Sequence, residues 1–559
     1  MKKSILSIML FAVLTGTVMT SCKDQLEEVA YGKMTTDEFL KDPSNLDLVV
    51  GQAYADIKWL HDHWTYWGLC TLTSDEAICP IRQPSGHWGD GGFWRELNTH
   101  NWNPEGKAFN YVWSYCNGGA VLCNKIIKQL TDNKEIIEPE VYDQYVSELV
   151  VVRSFYYYTL FDCFGRIPYT EKFDTAFVDL QQPQVVWKTL VDNLEKYAPT
   201  LNLADQPSKL YNYARASQGM AYTLLARLYL NAESYDVPAD MLAEYDVYNK
   251  CIEACNKVID SHVYSIEPDF FANFAIKNEN SNENIFVLQE DGSSANAKSG
   301  IDSNPMTKMR IYLLTMHYNH EQIWNLLTKP WNGFAAPTEF IAKYEKGDIR
   351  GLSVDENGNP MGTKTPANQR FGWFVGPVYA PTGDTIARDE NGEQVIIENK
   401  YYSGSDHSKP GTVEDCGWNC GARCWKYEVD QTGTYTYCEN DFVFMRYADV
   451  LWMKAEALLR AGKGLGEIIN DADFQLMRTR VGLQPYTEAE LTLEEIYDER
   501  GREFAWEMTR RRDMIRFGKY DKGGYGFAQP TEEYRKWFPI NADILATEPR
   551  WEQNPGYTK

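Results

Sequence analysis

The sequence is poor in positive charge, and beyond its N-terminus it contains no long apolar run. Lysine and arginine total 55 against 79 aspartate and glutamate residues, which gives a formal net charge of −24. A chain this acidic is repelled by nucleic acid and by anionic lipid headgroups. A helix needs about 20 consecutive apolar residues to span a bilayer, and no segment after the N-terminus reaches that length. The composition therefore argues against nucleic acid as a partner and predicts no membrane-spanning helix.

Enzyme signatures are missing as well. The patterns G-x-S-x-G and H-E-x-x-H, the P-loop and the Rossmann glycine pattern do not occur. Two carboxylates are enough for a glycosidase, but 79 acidic residues make any single pair uninformative. Asp75, Glu76 and Asp90 are the best candidates for such a pair. No histidine pair has acidic residues at fixed offsets, so neither a metal nor a cofactor is predicted.

Aromatic residues, in contrast, are abundant. They make up 14% of the chain, with 17 tryptophans and 36 tyrosines. A chain of 559 residues with 43% hydrophobic content can bury a large core. Part of the aromatic excess must nevertheless be exposed, and exposed aromatic side chains suggest a binding surface. Sugars are one ligand class that suits stacking on such rings.

The N-terminus has the pattern of a lipoprotein signal peptide. Lys2 and Lys3 precede an apolar run that ends shortly before Cys22, so residues 1–21 are predicted to be removed. A lone cysteine at this place resembles a bacterial lipobox, and Cys22 is expected to carry acyl chains that anchor the protein to the outer membrane. The following KDQLEE resembles an export signal for surface lipoproteins. The alternative is cleavage elsewhere, which would leave Cys22 free.

Hydrophobic periodicity predicts a mainly α fold. A helical scaffold is expected at about 34–260 and 441–520, with an irregular, partly β region at about 261–440. Residues 215–230 and 245–259 form one predicted helix hairpin, and 446–461 with 467–480 form another. Both hairpins suit a tetratricopeptide-like arrangement, because small residues let two helices approach closely. In the irregular region, 283–289 reads as a strand and two D-E-N-G segments read as hairpin turns.

Acidic residues dominate one helix near the C-terminus. Thr492 and Glu495 form a capping box ahead of an apolar stripe that runs to Met508. Glutamates at 499, 503 and 507 follow a four-residue spacing, so they share one face and repel one another. We expect a buried salt-bridge network rather than catalysis. The predicted cationic partners are Arg500, Arg502, Arg510, Arg511 and Arg516.

The same segment carries a family resemblance. Residues 499–518 spell E-R-x-x-E-F-x-x-E-x-x-R-x-x-D-x-I-R-F-G, which resembles the C-terminal signature of the SusD/RagB family, although Met508 stands where that family usually has glycine. Further matches lie at 153–168 and in the closing F-P-I…Q-N-P-G-Y. The resemblance implies one SusD-like domain over 22–559, built on a tetratricopeptide-like scaffold. It also implies an outer-membrane lipoprotein that captures nutrients for a SusC-like, TonB-dependent transporter.

A glycine-rich loop at 64–102 combines stacking and hydrogen-bonding groups. In it Arg82 and Asp90 accompany two tryptophans six residues apart, and the irregular region can add a second wall. The alternative is that the two tryptophans fill the scaffold. The candidate ligand-binding residues are Arg82, Trp88, Asp90, Trp94, Tyr312, Trp324 and Trp331.

The chain has 12 cysteines, and lipidation of Cys22 leaves an odd number. Cys416, Cys420, Cys424 and Cys438 are the one tight group. Glycines between the first three argue against a helical metal site. In an oxidising compartment one or two local disulfides are favoured, and their pairing stays open.

These observations converge on a surface lipoprotein that captures a glycan and delivers it to a TonB-dependent transporter, acting as its lid. No bond would be made or broken. Two alternatives stay open: a peptide-binding uptake lipoprotein of the same family, and a surface glycoside hydrolase.

Overall fold

The protein is mainly α-helical, as predicted. The computed structural model describes residues 36–83, 88–174, 176–202, 214–290, 311–362, 372–380, 383, 385–390, 392–404, 406–433 and 438–558. Cys22 and the predicted signal peptide lie outside these residues. None of the described helices is long and apolar enough to cross a membrane.

Ten described helices precede residue 261. They are α1 (Thr36–Lys41), α2 (Pro43–Gly51), α3 (Tyr66–Leu72), α4 (Phe93–Asn98), α5 (Lys107–Asp132), α6 (Pro139–Phe164), α7 (Pro183–Tyr197), α8 (Gln218–Leu230), α9 (Ala239–Tyr245) and α10 (Val247–Ile259). Nine further described helices follow. They are α11 (Ile311–Thr315), α12 (His320–Ile323), α13 (Thr338–Ile341), α14 (Tyr447–Arg460), α15 (Gly466–Ile469), α16 (Ala472–Thr479), α17 (Leu493–Glu503), α18 (Arg510–Arg516) and α19 (Ala542–Thr547).

Helix α6 lies at the centre of the scaffold. Pro139 stands at its first turn, and Gly165 ends it with a φ of 68°. Every residue from Tyr145 to Phe164 is buried, which is the mark of a helix surrounded on all sides. Helix α5 packs along it at Gly119, where an added Cβ would lie 2.3 Å from the Tyr156 ring. A larger residue at 119 would separate the two longest helices.

The predicted helix hairpins are present. Helix α8 packs against α10, and α10 also packs against α14, so small side chains on these helices sit at close interfaces. Ser217 caps α8 by accepting a hydrogen bond from the Met220 amide. In the second hairpin, the helix predicted at 467–480 is interrupted near Asn470 and forms the two shorter helices α15 and α16.

The acidic C-terminal helix ends earlier than its apolar pattern predicts. Half of the predicted capping box is present: the Thr492 side chain accepts from the Glu495 amide, but the Thr492 amide donates to the Glu490 carbonyl rather than to the Glu495 carboxylate. The single helix continuing to Met508 is wrong: α17 ends at Glu503. Trp506 and Met508 have φ angles of 62° and 66°, and left-handed residues cannot continue a right-handed helix. The family's usual glycine thus falls where the backbone is left-handed.

The predicted salt-bridge network is confirmed, but most of its cations come from elsewhere. Glu503 is fully buried, and its carboxylate contacts Arg350 (2.8 Å), Arg446 (3.0 Å) and Arg480 (2.7 Å). The other two glutamates are also buried. Glu499 pairs with Arg350, Arg478 and Arg502, and Glu507 pairs with Lys426 and Arg446.

Of the five arginines predicted as partners, Arg502 alone pairs with one of the three glutamates among the described contacts. The other four pair with different acids; Arg500 lies in α17, and the remaining three follow the break at Trp506, in α18. Arg500 pairs with Asp449 and Asp513, Arg510 with Asp75, Arg511 with Asp162, and Arg516 with Glu456 and Asp513.

Between residues 261 and 440 the longest described helix has five residues. The described strands of the chain are β1 (Arg82–Gln83), β2 (Asn284–Leu288), β3 (Trp373–Phe374), β4 (Gly376–Pro377), β5 (Ile396–Ile397), β6 (Tyr402–Ser403), β7 (Asp406–Pro410), β8 (Cys416–Gly417), β9 (Arg423–Cys424) and β10 (Phe442–Arg446). All of them pair as two-stranded sheets, and β2 pairs antiparallel with β10, with Phe442 opposite Leu288. The predicted strand and both D-E-N-G turns are confirmed, with Gly358 and Gly392 at positive φ.

The prediction of one or two local disulfides is wrong for the described residues. None of the eleven described cysteines is in a disulfide, and all are buried. Cys416 and Cys420 pack in a small cluster with Tyr402, whereas Cys424 belongs to the main core on β9. The Cys438 thiol donates to the Asn440 carbonyl. The group that is tight in sequence is therefore divided between separate packing environments.

Candidate functional site

Tryptophans from two separate segments meet in one aromatic cluster, which we define as Trp64, Trp88, Trp94, Trp331 and Phe334. The Trp88 ring lies 5.3 Å from Trp331 and 5.0 Å from Phe334, centroid to centroid. Trp94 lies 4.4 Å from Trp64 and 6.1 Å from Trp88. The structure thus joins the glycine-rich loop to the predicted second wall.

Within the aromatic cluster, exposure separates candidate ligand contacts from support. Trp64, Trp88 and Trp331 are half-buried, so they are the members of the cluster that a ligand can reach. Trp94 is fully buried, and its indole N–H donates to the exposed Asp90 carboxylate at 2.5 Å. Trp94 is therefore corrected from a ligand contact to the support beneath Trp88 and Trp64.

The backbone holds Trp88 in an unusual conformation. Trp88 and Asp90 have φ angles of 65° and 34°, values that residues other than glycine rarely adopt. The Trp88 indole N–H donates to the Trp331 carbonyl at 2.9 Å. Its ring lies against Gly333, where an added Cβ would come within 2.2 Å of an indole carbon. Gly333 was not singled out from the sequence, although a glycine two residues after Trp331 is the local signal of this close approach.

Arg82 is a clamp beneath the site rather than a ligand contact. Its side chain is fully buried. The guanidinium donates to the Gly333 carbonyl at 2.9 Å, and also to the carbonyls of Gly417, Trp418 and Cys420 at 3.0–3.2 Å. Because all these acceptors are backbone oxygens of distant loops, Arg82 ties the two segments of the site together. The expectation that it binds ligand directly is corrected.

Tyr312 and Trp324 are also buried, so they too are corrected from ligand contacts to core residues. Trp324 packs on Trp425 with centroids 4.7 Å apart and on His320 at 4.6 Å. The Tyr312 hydroxyl donates to the Asp430 carbonyl at 3.3 Å. Tyr312 lies in α11, all five residues of which are buried, and Trp324 directly follows α12.

An open groove lies beside the aromatic cluster, with a cavity volume of about 840 Å³. We call it the polar groove, and its wall includes Gln83, Arg388, Glu393, Glu398, His407 and Asn419. Sequence reasoning missed it, because its walls come from separate short strands and turns of the irregular region. The D-E-N-G turn at 389–392 was the one local signal that pointed to it.

The acids considered for catalysis are held in structural contacts. Asp75 is bound by the Arg510 guanidinium at 2.6 and 2.7 Å. Glu76 accepts the Trp506 amide at 2.9 Å and is fully buried. Burial, with a smaller contribution from the Asp75 charge, raises the pKa of Glu76 to about 8. No cluster of three or more metal-binding side chains occurs among the described residues.

Two family models match the chain. Residues 282–557 match the model described as "SusD family", and residues 73–230 match one described as "Starch-binding associating with outer membrane". Among curated proteins, the starch-binding protein SusD of Bacteroides thetaiotaomicron is 23% identical over 486 residues. The aligned part covers 83% of this chain and 81% of that protein.

Solved structures show the same fold. A SusD superfamily protein from Parabacteroides distasonis superposes with a TM-score of 0.68 at 18% identity, covering 94% of this chain and all of that one. A surface glycan-binding protein A from Bacteroides uniformis gives a TM-score of 0.67 at 18% identity, covering 92% and 99%. At this level of identity the likeness concerns the fold alone.

Proposed function

The chain belongs to the SusD family, and from that premise we propose that it binds a glycan at the cell surface and passes it to a TonB-dependent transporter. It makes and breaks no bond. The relatives named for starch and surface glycan binding support the ligand class. The transporter and the lipid anchor follow from the resemblance of the sequence to this family.

The observation that carries the proposal is the open edge of the aromatic cluster. Trp88 and Trp331 are both half-buried, and their rings are tilted by 54° at 5.3 Å. An indole face stacks well on the C–H face of a sugar ring, while hydroxyl groups need polar partners nearby. Asp90 is exposed next to Trp88 and supplies one such acceptor. The rigid support from Trp94 and Phe334 keeps these rings in place before ligand arrives.

The contacts of the acids put forward for a hydrolase favour a binding protein over an enzyme. Asp75 is paired with Arg510, and Glu76 holds the backbone of Trp506. Asp90 accepts the Trp94 indole N–H. Glycosidases need two carboxylates that both reach the scissile bond. We therefore assign no catalytic residue.

The test combines Trp88→Ala with Trp331→Ala and measures retardation in native gels containing starch, laminarin or xylan. At least one polysaccharide should retard the wild-type protein. By analogy with stacking of bases, each lost ring should cost about 1–3 kcal/mol, so the double variant should lose binding at least tenfold. Tyr111→Ala, which removes an exposed ring outside the aromatic cluster, is the matched control and should bind normally. Unchanged binding by the double variant contradicts the site.

Two further outcomes would redirect the proposal. Release of new reducing ends by the purified protein would indicate hydrolysis. Binding of peptides with no polysaccharide retarded would favour the peptide-uptake alternative.

Anchoring is tested separately with Cys22→Ala. Acyl chains are the proposed membrane attachment, so this variant should lose radiolabelled palmitate and leave the outer-membrane fraction. The wild-type protein, extracted in mild detergent, should co-purify with a TonB-dependent transporter. Palmitate incorporation into the variant would exclude Cys22 as the lipidated residue.

A further inference from the structure

The polar groove offers amides and an aromatic surface rather than cations. Asn419 is mostly buried in its wall; the side-chain amide N–H donates to the Gln394 carbonyl at 3.1 Å. The amide oxygen of Asn419 has no hydrogen-bond partner among the described residues. This oxygen is buried in the groove wall, and a small turn of the Asn419 side chain toward the groove would let it accept from a ligand hydroxyl or amine. His407, half-exposed, stacks flat on Tyr402 with centroids 3.8 Å apart and supplies a surface for a sugar ring.

Charge in the polar groove opposes anionic ligands. The carboxylates of Asp389, Glu393 and Glu398 line it. Among its described lining residues, Arg388 supplies the one guanidinium. The Arg388 side chain already donates to the Gly392 carbonyl. The Glu398 carboxylate contacts the Lys400 ammonium at 2.6 Å and the His407 ring at 3.0 Å, so both side chains are already paired with an acid. Carboxylate and sulfate groups are usually recognised by Arg guanidinium or Lys ammonium groups that are not already paired, and no such group lines the described part of the groove.

The polar groove and the aromatic cluster are joined by short backbone links. Gln83 lines the groove and directly follows Arg82, whose guanidinium holds the Gly333 carbonyl beside Trp88. On the other side, Asn332 follows Trp331 and donates its side-chain amide to the Trp418 carbonyl at 3.1 Å. Trp418 is itself a groove residue. A ligand of several sugar units can therefore contact both surfaces.

We propose that the polar groove is a second subsite for the ligand of the aromatic cluster, and that its chemistry restricts the ligand to neutral or basic glycans and excludes polyanionic ones. This inference rests on the proposed glycan-binding function and specifies its substrate class. The aromatic cluster supplies stacking without regard to charge, and the polar groove supplies the selection.

The first test sets neutral against anionic polysaccharides. Wild-type protein is run in native gels containing starch, laminarin or xylan, and in gels containing polygalacturonate or alginate, at low salt where repulsion is strongest. Retardation by a neutral polysaccharide and by neither anionic one is expected. Equal or stronger retardation by an anionic polysaccharide overturns the inference while glycan binding stands. Retardation by none of the five overturns both.

The second test locates the selection. Glu393→Lys reverses an exposed charge in the groove wall and should create retardation by polygalacturonate at low salt, while neutral binding changes less than threefold. Glu140→Lys makes the same charge change at the start of α6, in a separate pocket, and should leave polygalacturonate unbound. Equal gains in both variants would assign selection to the net charge of the protein and overturn the role of the groove.

The third test concerns the subsite itself. Asn419→Ala should weaken binding of the neutral polysaccharide three- to tenfold, because the acceptor proposed for the ligand is removed. The melting temperature, measured in parallel, should fall by less than about 3 °C, since one partly buried hydrogen bond is lost. Unchanged affinity in a folded Asn419→Ala protein would overturn the second subsite.

Discussion

In the ionic network around Glu503, buried carboxylates are enclosed by guanidinium groups, whereas in the polar groove carboxylates face open space among amides. The Glu503 carboxylate has three arginine partners and no exposed surface. Glu393 in the groove is exposed. Charge is thus used in one region to lock distant segments together and in the other to discriminate between ligands. Glutamate serves both purposes because a buried charge interacts more strongly with its neighbours than a charge exposed to water.

The energetic consequences of the two regions differ accordingly. Burial alone would raise the pKa of Glu503, but the charges of Arg480, Arg446 and Arg350 outweigh it and hold that pKa well below its ordinary value. Removing one partner of such a buried group leaves the other charges uncompensated. In the polar groove, water can solvate whichever charge is left, so substitutions there should change binding and leave stability nearly unchanged.

The largest effect is expected from Glu503→Gln. Three guanidinium groups would lose their shared carboxylate, and the free energy of unfolding should fall by about 3–5 kcal/mol. Glycan affinity should stay within twofold, because no ligand contact is altered. Thermal melts and affinity gels measure the two quantities. The matched control is Glu494→Gln, whose exposed pair with Lys519 should contribute less than about 1 kcal/mol.

A normal melt for Glu503→Gln together with lost binding would reverse the assignment and make the network part of the ligand site.

The second largest effect is expected from acid, which should lower the folding stability of the scaffold. Burial would raise the pKa of Glu499, yet Arg350, Arg502 and Arg478 lower it to about 2. A lowered folded-state pKa stabilises the protein above the unfolded value of about 4.3, and this contribution is lost as pH falls toward 2. Glu499 alone accounts for about 3 kcal/mol over that range. The melting temperature should therefore drop steadily between pH 5 and pH 3.

The Glu503→Gln variant provides the comparison, because it lacks one of the titrating carboxylates. Its melting temperature should fall less than that of the wild type over the same pH interval. An equal or steeper fall would mean that other acids control the acid response.

A smaller effect on stability, combined with an effect on ligand binding, is expected from Arg82→Met. Carbonyls of Gly333, Gly417 and Cys420 would lose a donor, at a cost on the order of 2–3 kcal/mol. Part of that cost is offset, because burial and the Arg82 charge together lower the pKa of Arg423 next to it. Glycan binding should also weaken, since Trp88 and the polar groove lose their common clamp.

Arg95→Met is the control for this change, because Arg95 is partly exposed and pairs loosely with Glu414 at 3.6 Å. It should alter neither stability nor binding measurably. If Arg82→Met abolished binding while its melting temperature stayed normal, Arg82 would have to contact ligand directly.

Much of the scaffold could be predicted because its determinants are local. Pro139 stands in the first turn of α6 and Gly165 ends it, and the Thr492 side chain caps α17 through the Glu495 amide. The three glutamates required buried cations on electrostatic grounds alone. The helix break after Glu503 was not predicted, because an apolar spacing pattern does not report a left-handed φ at Trp506.

Among the candidate site residues, the sequence identified the right loops but not which rings stay open. Trp88 and Trp94 have the same chemistry and lie six residues apart, yet one is half-buried and the other fully buried. Residues more than 200 positions away contribute to that difference: Phe334 packs against both tryptophans, and Trp331 packs against Trp88. Local patterns cannot encode it.

The sequence by itself determined the helical class, the main helix boundaries, the need for an ionic network and the family resemblance, because periodicity, capping and charge spacing act over a few residues. The tertiary structure alone decided which arginines neutralise Glu503, that Arg82 is a clamp, and that a polar groove exists. Each of these depends on segments such as β1, β8 and 388–398 meeting in space. Such contacts are fixed by the packing of the whole chain rather than by any one stretch of it.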